Sequence, residues 1–522
     1  MLGSSGREKC GHDPVPLAKR WHSPYNPRMF AVPARFPARA WTLTPRGLLA
    51  AILFVALFAI AAQPSLDADL WWHLRTGQWI IENGAVPHAD PFSSTRYGAP
   101  WVAHEWLADV GLYALYRAGG INALALATAA VVTLTFVVVY RMSETRPHLA
   151  VFTTFLAALA SAVTWGPRPQ MLTLLFAALT LFILERARLR GTRWLWLLLP
   201  LLLLWANVHS GFFLGLAIIG AHLAGAFAER LLLRLRVWRG PLQSLALRPV
   251  ALALFGATLV SLLNPNGVQL LVYPFFTLFS HAMQTYIVEW HSPDFHDVRF
   301  MPFALLWLLL LASLALSARR PTLTEVLLTI GLGYESLVSI RNIPLFAIVA
   351  APLITRQWAC VLRPVTEPLL RPQRRVLSAL NWTLLALTVF AVVVRVSAQW
   401  SAGEAQAMSQ FPVSAADYVL AAKPPGPLLN SYNFGGYLVW RLYPAYAVFI
   451  DGRADVYGDA FMDEYYARVW QGHGDWQEYL SRYNVRVVVM EKDGTLAGLL
   501  RVQPQWKLVH EDQLAAVFER SQ

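Results

Sequence analysis

Charge is scarce in this sequence. Asp, Glu, Lys and Arg make up 14% of its 522 residues and hydrophobic residues 56%, where a soluble domain carries roughly 25% charged residues. With a mean hydropathy of +0.43, this excludes a single soluble core-and-shell domain. Cysteine is nearly absent. Cys10 and Cys360 both fall in segments expected in the cytoplasm, so no disulfide framework is implied. No cleavable signal peptide is apparent, because the first apolar run begins near Leu48. Residues 1–42 instead read as a disordered basic cytoplasmic tail. Lysine is rare while Arg, Ala and Leu abound, a composition that suggests a high-GC bacterium.

What is present is long apolar segments. A bilayer core takes about 20 apolar residues per helix. About eleven candidate spans lie near 43–63, 120–140, 149–164, 169–184, 194–209, 211–228, 249–263, 300–317, 323–340, 343–356 and 377–397. The expected fold class is therefore a polytopic α-helical membrane protein. Its transmembrane module covers 43–397, with an outer loop at 64–119. The 21 tryptophans suit two interfacial belts.

Positive charge clusters in alternate loops. Arg186, Arg188, Arg190 and Arg193 follow the fourth segment, and Arg230, Arg234, Arg236 and Arg239 the sixth. Arg319 and Arg320 follow the eighth, and Arg356, Arg363, Arg371, Arg374 and Arg375 the tenth. The positive-inside rule makes that side cytoplasmic. The net charge of +12 reads as a topology signal and not as a nucleic-acid surface. Loop 64–119, loop 264–299 and the C-terminal 120 or so residues then face outward, to the periplasm of a bacterial inner membrane. Residues 398–522 change character. Strand-like runs at 427–432, 447–451, 485–490, 506–511 and 515–519 alternate with helix-like runs at 435–442 and 460–471, which predicts an outer-face α/β domain.

The chemistry-bearing residues gather on that outer side. Asp67 and Asp69 directly follow the first span, in Asp67-Ala-Asp-Leu-Trp-Trp-His-Leu74. Two residues apart, they share a side only where the junction is extended and not helical. Either could instead cap a helix over 70–81. The loop then supplies His73, Arg75, His88, Asp90, Trp101, His104, Glu105 and Asp109. Ala108 stands four residues after His104, so the second ligand of a zincin motif is missing. A divalent ion bound by Asp67, Asp69, His104 or Glu105, with Asp69 and Glu105 foremost, is the metal reading. Tryptophans here are interface anchors or sugar stackers.

Other outward polar groups sit at span ends: Arg168, Asn207, His209, Asn264, Asn266, Glu289, Arg299, Arg341 and Asn342. Arginines there either snorkel or grip phosphate oxygens in pairs of hydrogen bonds. In the last domain, Gly435-Gly436 permits close backbone approach. Asp451-Gly-Arg453 ends a strand-like run, as a ligand contact or as an Asp–Arg turn. No Gly-Lys-Ser/Thr follows, so this is no P-loop.

With these residues in hand, the chain resembles the GT-C class of membrane glycosyltransferases. The motifs are Asp67–Leu74, Pro87-His-Ala-Asp-Pro-Phe-Ser93, Gly435-Gly-Tyr-Leu438 and Asp451–Arg453. It is closest to a bacterial group of uncharacterised GT-C-like proteins carrying this pattern. The late block is also distantly similar to the W-W-D-Y-G block of oligosaccharyltransferases, without its Trp-Trp-Asp. The resemblance implies a polyprenyl-phosphate-linked sugar donor, a glycan, lipid or protein acceptor, an outer-face site and inversion at the anomeric carbon. It also implies that Asp67 or Asp69 acts as base or positions the acceptor. Mg or Mn could assist. His73, Arg75, His104, Glu105, Arg168, Asn207, His209, Arg341, Asp451 and Arg453 would bind substrate, the arginines taking the donor phosphate and the first-loop tryptophans lying among lipid headgroups. Two other classes remain open. One is a transporter, for which Glu335 within a span is a sign. The other is a non-enzymatic envelope-assembly protein binding a partner through its α/β domain.

Overall fold

The computed structural model describes residues 42–64, 66–143, 146–237, 240–241, 245–362 and 375–521. The expected tail up to residue 41, and Arg239, Arg363, Arg371 and Arg374, lie outside the described residues. The chain runs through α1 (Pro45–Ala61), α2 (Leu70–Asn83), α3 (Trp106–Met142), α4 (Pro147–Ser161), α5 (Gln170–Arg190), α6 (Leu198–Val208) and α7 (Phe212–Arg234). It continues through α8 (Leu247–Ser261), α9 (Gln269–Leu278), α10 (His281–Tyr286), α11 (Met301–Leu316), α12 (Leu323–Val338), α13 (Ile343–Val361) and α14 (Arg375–Met408).

Each of the eleven expected segments is helical. Among the described residues, six stretches are long and apolar enough to cross a membrane: Trp106–Met142, Pro147–Thr164, Phe212–Arg234, Val298–Leu316, Ile340–Val361 and Leu377–Trp400. A helix is the natural form there, because it satisfies its own backbone hydrogen bonds where water is missing. The molecule is a polytopic helical membrane protein.

Local chemistry sets the helix ends. The Thr44 hydroxyl accepts from Gly47 N at 3.1 Å, with Pro45 opening α1. Thr322 and Glu325 close a capping box on α12. Inside α3 the helix breaks at Gly119–Gly120, where Gly120 takes φ 61°. A residue without Cβ tolerates that value, and the break separates a first-loop portion of α3 from its apolar run. At one end of the bundle, Arg356 pairs with Glu325 at 2.9 Å and Glu185 at 3.6 Å, and Arg188 with Glu185 at 3.4 Å. Arginines of the basic loops thus clamp the ends of α5, α12 and α13 to one another.

Helix α14 runs past the expected boundary at 398. After it come α15 (Val413–Ala422), β1 (Leu428–Asn430), α16 (Tyr432–Leu442), α17 (Ala454–Tyr457), α18 (Asp459–Tyr465) and α19 (Trp476–Arg482). Then follow β2 (Val487–Glu491), α20 (Thr495–Arg501), β3 (Trp506–Glu511) and β4 (Ala515–Arg520). The strands order as β1-β2-β4-β3, with β1 parallel to β2 and the other pairs antiparallel.

Four of five expected strands form. The fifth, 447–451, does not, because other partners take its backbone. The Asn430 amide accepts from Phe449 N at 2.8 Å and donates to Ile450 O at 2.7 Å. Val448 pairs instead with the first loop: Val448 N donates to Phe92 O at 3.2 Å and Ser94 N to Val448 O at 2.8 Å.

The first loop thereby joins the core of the C-terminal domain. Trp71, Phe92 and Trp101 pack in one apolar cluster with Phe411, Tyr437 and Phe449. Trp71 meets Tyr437 edge-on at 5.2 Å and Phe411 at 5.4 Å. This corrects the expectation of headgroup tryptophans: Trp71 and Trp101 are buried.

The join is sealed by charge. The Arg453 guanidinium donates to Asp90 Oδ1 at 2.8 Å and to Asp451 Oδ1 and Oδ2 at 2.8 and 2.6 Å. It lies 4.6 Å from the Trp101 ring centroid. Asp90 also accepts from Phe92 N and from Ser93. All three charged groups are fully buried. Removing one member of a buried ion cluster leaves uncompensated charge, which costs about 3–5 kcal/mol. Arg453→Met should therefore lower stability by about that amount, read as a markedly lower melting temperature of the purified protein in detergent.

Candidate active site

A cavity of about 620 Å³ lies where the bundle meets the C-terminal domain. Asp67, Asp69, His73, His104, Glu105, Arg168, His209 and Arg341 all line it. Of the other expected residues, Arg75 points elsewhere, donating to Gln78 Oε1 at 2.9 Å beside the Tyr443 ring. Asn207 is a structural tie: its amide donates to Leu203 O and Leu263 O and accepts from Trp106 Nε1. Asp451 does not border the cavity. Arg453 borders it with its guanidinium committed to Asp90 and Asp451. These four were expected to bind substrate; the side chains of Asn207, Asp451 and Arg453 are instead spent on protein partners, and Arg75 lies off the cavity.

The acidic junction is not helical at Asp67, so both carboxylates can face one place. Asp67 Oδ1 accepts from Asp69 N at 2.9 Å, a turn that starts α2. Asp69 sits at the capping position of α2, yet its side chain caps nothing. Its Oδ1 accepts from Trp72 Nε1 at 3.1 Å. The remaining oxygens turn to Arg168, which lies 2.9 Å from Asp67 Oδ2 and 3.9 Å from Asp69 Oδ2 and also pairs with Glu289.

The C-terminal domain presses on this junction from behind. A Cβ on Gly452 would collide with Asp69 Oδ1, and one on Gly436 with Ala68 O. The Gly-Gly and Asp-Gly-Arg motifs are thus part of the site through their missing side chains.

Asp69 is about a third exposed, and it lines the cavity. Burial and the adjacent Asp67 push its carboxyl up to about 7, against Arg168 and the Trp72 hydrogen bond. Against the burial that would raise it, Arg168 holds Glu289 below the usual carboxylate range.

Several other titratable groups lining the cavity are held in their neutral forms. Burial lowers His73 to about 4 and His104 to about 3, and raises Glu105 to about 8. His73 Nδ1 lies 2.7 Å from Asp109 Oδ1. Burial favours the neutral form of each, so the pair shares a proton. Gly211 N donates to His209 Nδ1 at 2.8 Å. That leaves the His209 proton on Nε2, 3.3 Å from Glu105 Oε1. Burial also raises Asp455, to about 6, beside the Tyr273 hydroxyl that bonds it.

Sequence reasoning assigned no role to Glu289, Tyr273, Asp455, Tyr432 or Trp290, all of which line the cavity. Asp455 stands two residues beyond Arg453 in the same block, a signal that was present. Glu335, the transporter sign, also lines the cavity, near the end of α12 and not at mid-span.

Arg341 differs from the other two arginines. Its guanidinium lies 4.6 Å from the Trp290 ring centroid, and no ion pair engages it among the described residues. A divalent ion fits the site poorly. The oxygens of Asp67 and Asp69 are directed at Arg168, Trp72 Nε1 and Asp69 N. Among the described residues no group of three or more His, Cys, Asp and Glu is placed to hold a metal.

No protein-family model and no curated protein sequence matches the chain. Solved structures do resemble it in fold. The archaeal oligosaccharyltransferase AglB from Archaeoglobus fulgidus, in complex with an inhibitory peptide and a dolichol-phosphate, matches with TM-score 0.54 and 12% identity over 85% of this chain and 69% of its own. ArnT from Cupriavidus metallidurans bound to undecaprenyl phosphate gives 0.48 and 15% over 90% and 97%. The arabinofuranosyltransferase AftD from Mycobacteria gives 0.47 and 13% over 92% and 40%.

Two measurements check the site geometry. The carboxyl C=O band of protonated Asp69, isolated as the infrared difference between wild type and Asp69→Asn, should be present at pH 5 and vanish as pH rises through about 7. Gly452→Ala should shift or abolish that transition while leaving the protein folded.

Proposed function

Starting from a chain that has the GT-C glycosyltransferase fold, we propose that this protein transfers a sugar from a polyprenyl-phosphate donor to an acceptor hydroxyl on a glycan, lipid or protein. One observation carries the reading. A single cavity holds a carboxylate able to take a proton near neutral pH, Asp69, and a guanidinium, Arg341, that no ion pair engages among the described residues. AglB, of the same fold, is in complex with a dolichol-phosphate, which supports a polyprenyl-type phosphate lipid as the class of ligand.

In this scheme Asp69 is the base. Asp67 is ion-paired to Arg168 and held by the turn, so it positions its neighbour. The acceptor oxygen forms a bond to the anomeric carbon as its proton passes to Asp69. The carbon–oxygen bond to the phosphate breaks on the opposite face, and its electron pair leaves with the polyprenyl phosphate. One displacement inverts the anomeric centre. Arg341 takes the growing phosphate charge. The neutral histidines, protonated Glu105 and the Tyr273–Asp455 pair supply hydrogen bonds suited to sugar hydroxyls. The cavity faces the periplasm of a bacterial inner membrane. This orientation draws on the basic residues Arg188, Arg319 and Arg356, which lie at the far end of the bundle.

The test is release of polyprenyl phosphate from radiolabelled polyprenyl-phosphate sugars by purified protein in lipid. Asp69→Asn should cut turnover about 10²–10⁴-fold, the usual worth of a general base. Arg341→Gln should lower turnover and weaken donor binding. Wild-type turnover should rise with pH through about 7, since Asp69 accepts a proton only when ionised. Folded protein that turns over no donor in a panel of hexosyl and pentosyl lipids overturns the proposal in favour of a binding or assembly role.

A further inference from the structure

The centre of the acidic cluster holds a guanidinium. Asp67 and Asp69 come from the first loop, Glu289 from the segment after α10, and Arg168 from the turn between α4 and α5. Three carboxylates from two distant stretches of chain therefore converge on one side chain. Their geometry leaves little for any other cation. Asp67 spends Oδ1 on Asp69 N and Asp69 spends Oδ1 on Trp72 Nε1, while the two Oδ2 atoms and Glu289 Oε1 turn to Arg168.

Arg168 is also not a loose arm. It stands in Trp165-Gly-Pro-Arg-Pro-Gln170, between two prolines whose φ is fixed. Its N–H donates to Gly166 O at 2.8 Å, and its carbonyl accepts from Met171 N at 3.1 Å as α5 begins. The root of the side chain is thus set by backbone. A divalent ion needs about six oxygen ligands at about 2.0–2.6 Å, and the guanidinium occupies the place where such ligands would converge.

We propose that Arg168 stands in for a divalent cation at this acidic centre, so that the protein binds no catalytic metal and transfers sugar in the presence of chelator. The inference rests on the glycosyl-transfer reading for its activity arm only. Arg168 acts as a positioning residue. Its permanent charge holds Asp67 and Asp69 together, where two bare carboxylates would repel, and its planar fork fixes their orientation. Unlike a bound ion, it is neither exchanged nor chelated.

The experiment is a Mn²⁺ titration followed by electron paramagnetic resonance, on full-length protein in lipid nanodiscs, beside turnover with and without EDTA. Wild type should leave the free Mn²⁺ signal undiminished at micromolar protein and metal, and its turnover should not change with EDTA. Arg168→Ala, which leaves three carboxylates uncompensated, should gain a saturable Mn²⁺ site, and adding Asp67→Asn should abolish it. Turnover of Arg168→Ala should fall at least tenfold. A saturable Mn²⁺ site in wild type that is lost in Asp67→Asn overturns the inference. So does turnover abolished by EDTA and restored by Mn²⁺, or folded Arg168→Ala that gains no site. Should Arg168→Ala fail to fold, Arg168→Gln replaces it with the same expectations, and the wild-type titration still decides. Because metal binding is read without a substrate, failure of the glycosyl-transfer reading shows as absent turnover beside an intact metal result.

Discussion

A buried guanidinium ties the beginning of this chain to its end. Arg453 sits between Asp90 of the first loop and Asp451 of the C-terminal domain, away from water and with all its strong partners ionic. Charges at such depth persist only when paired. Once they are paired, the first loop is no longer an appendage of the membrane bundle. It becomes a wall of the C-terminal domain, and α2 packs against α16 with Trp71 set edge-on against the stacked Phe411 and Tyr437 rings. The position of Asp67 and Asp69 follows from that docking, since Gly436 and Gly452 support the junction with bare backbone.

The cavity lining mixes two kinds of group. Charged ones gather around Arg168. Others are driven by burial to their neutral forms, from His73 and Asp109 to Glu105 and Asp455. Arg341, which no ion pair engages among the described residues, lines the same cavity.

Much of the architecture was legible in the sequence, because apolar runs of span length and alternating basic loops are one-dimensional signals. All eleven segments are helical, and four of the five strand-like runs form strands. The failure at 447–451 has a local cause: an Asn430 side chain supplies the partners that a neighbouring strand would otherwise provide. The site was legible in part. Asp67, Asp69, Arg168 and Arg341 were found because ionisable groups beside apolar runs are conspicuous. Their division of labour was not, because only three-dimensional pairing separates a spent arginine such as Arg453 from one such as Arg341, which no ion pair engages among the described residues. Glu289 went unassigned for the same reason. Nothing near it in sequence reveals that it meets Arg168, 121 residues away.

The Arg453–Asp90 link spans 363 residues. A ribosome adding about 5–20 residues per second needs on the order of 20–70 s to cover that distance. Throughout that interval the acidic loop has left the first helix without the wall that shapes it. The cavity is assembled only after the final helices are inserted and the last domain has folded, so a truncated or stalled chain carries the acidic motif without its pocket. The length of the polypeptide thus sets a delay between synthesis of the acidic motif and completion of its pocket.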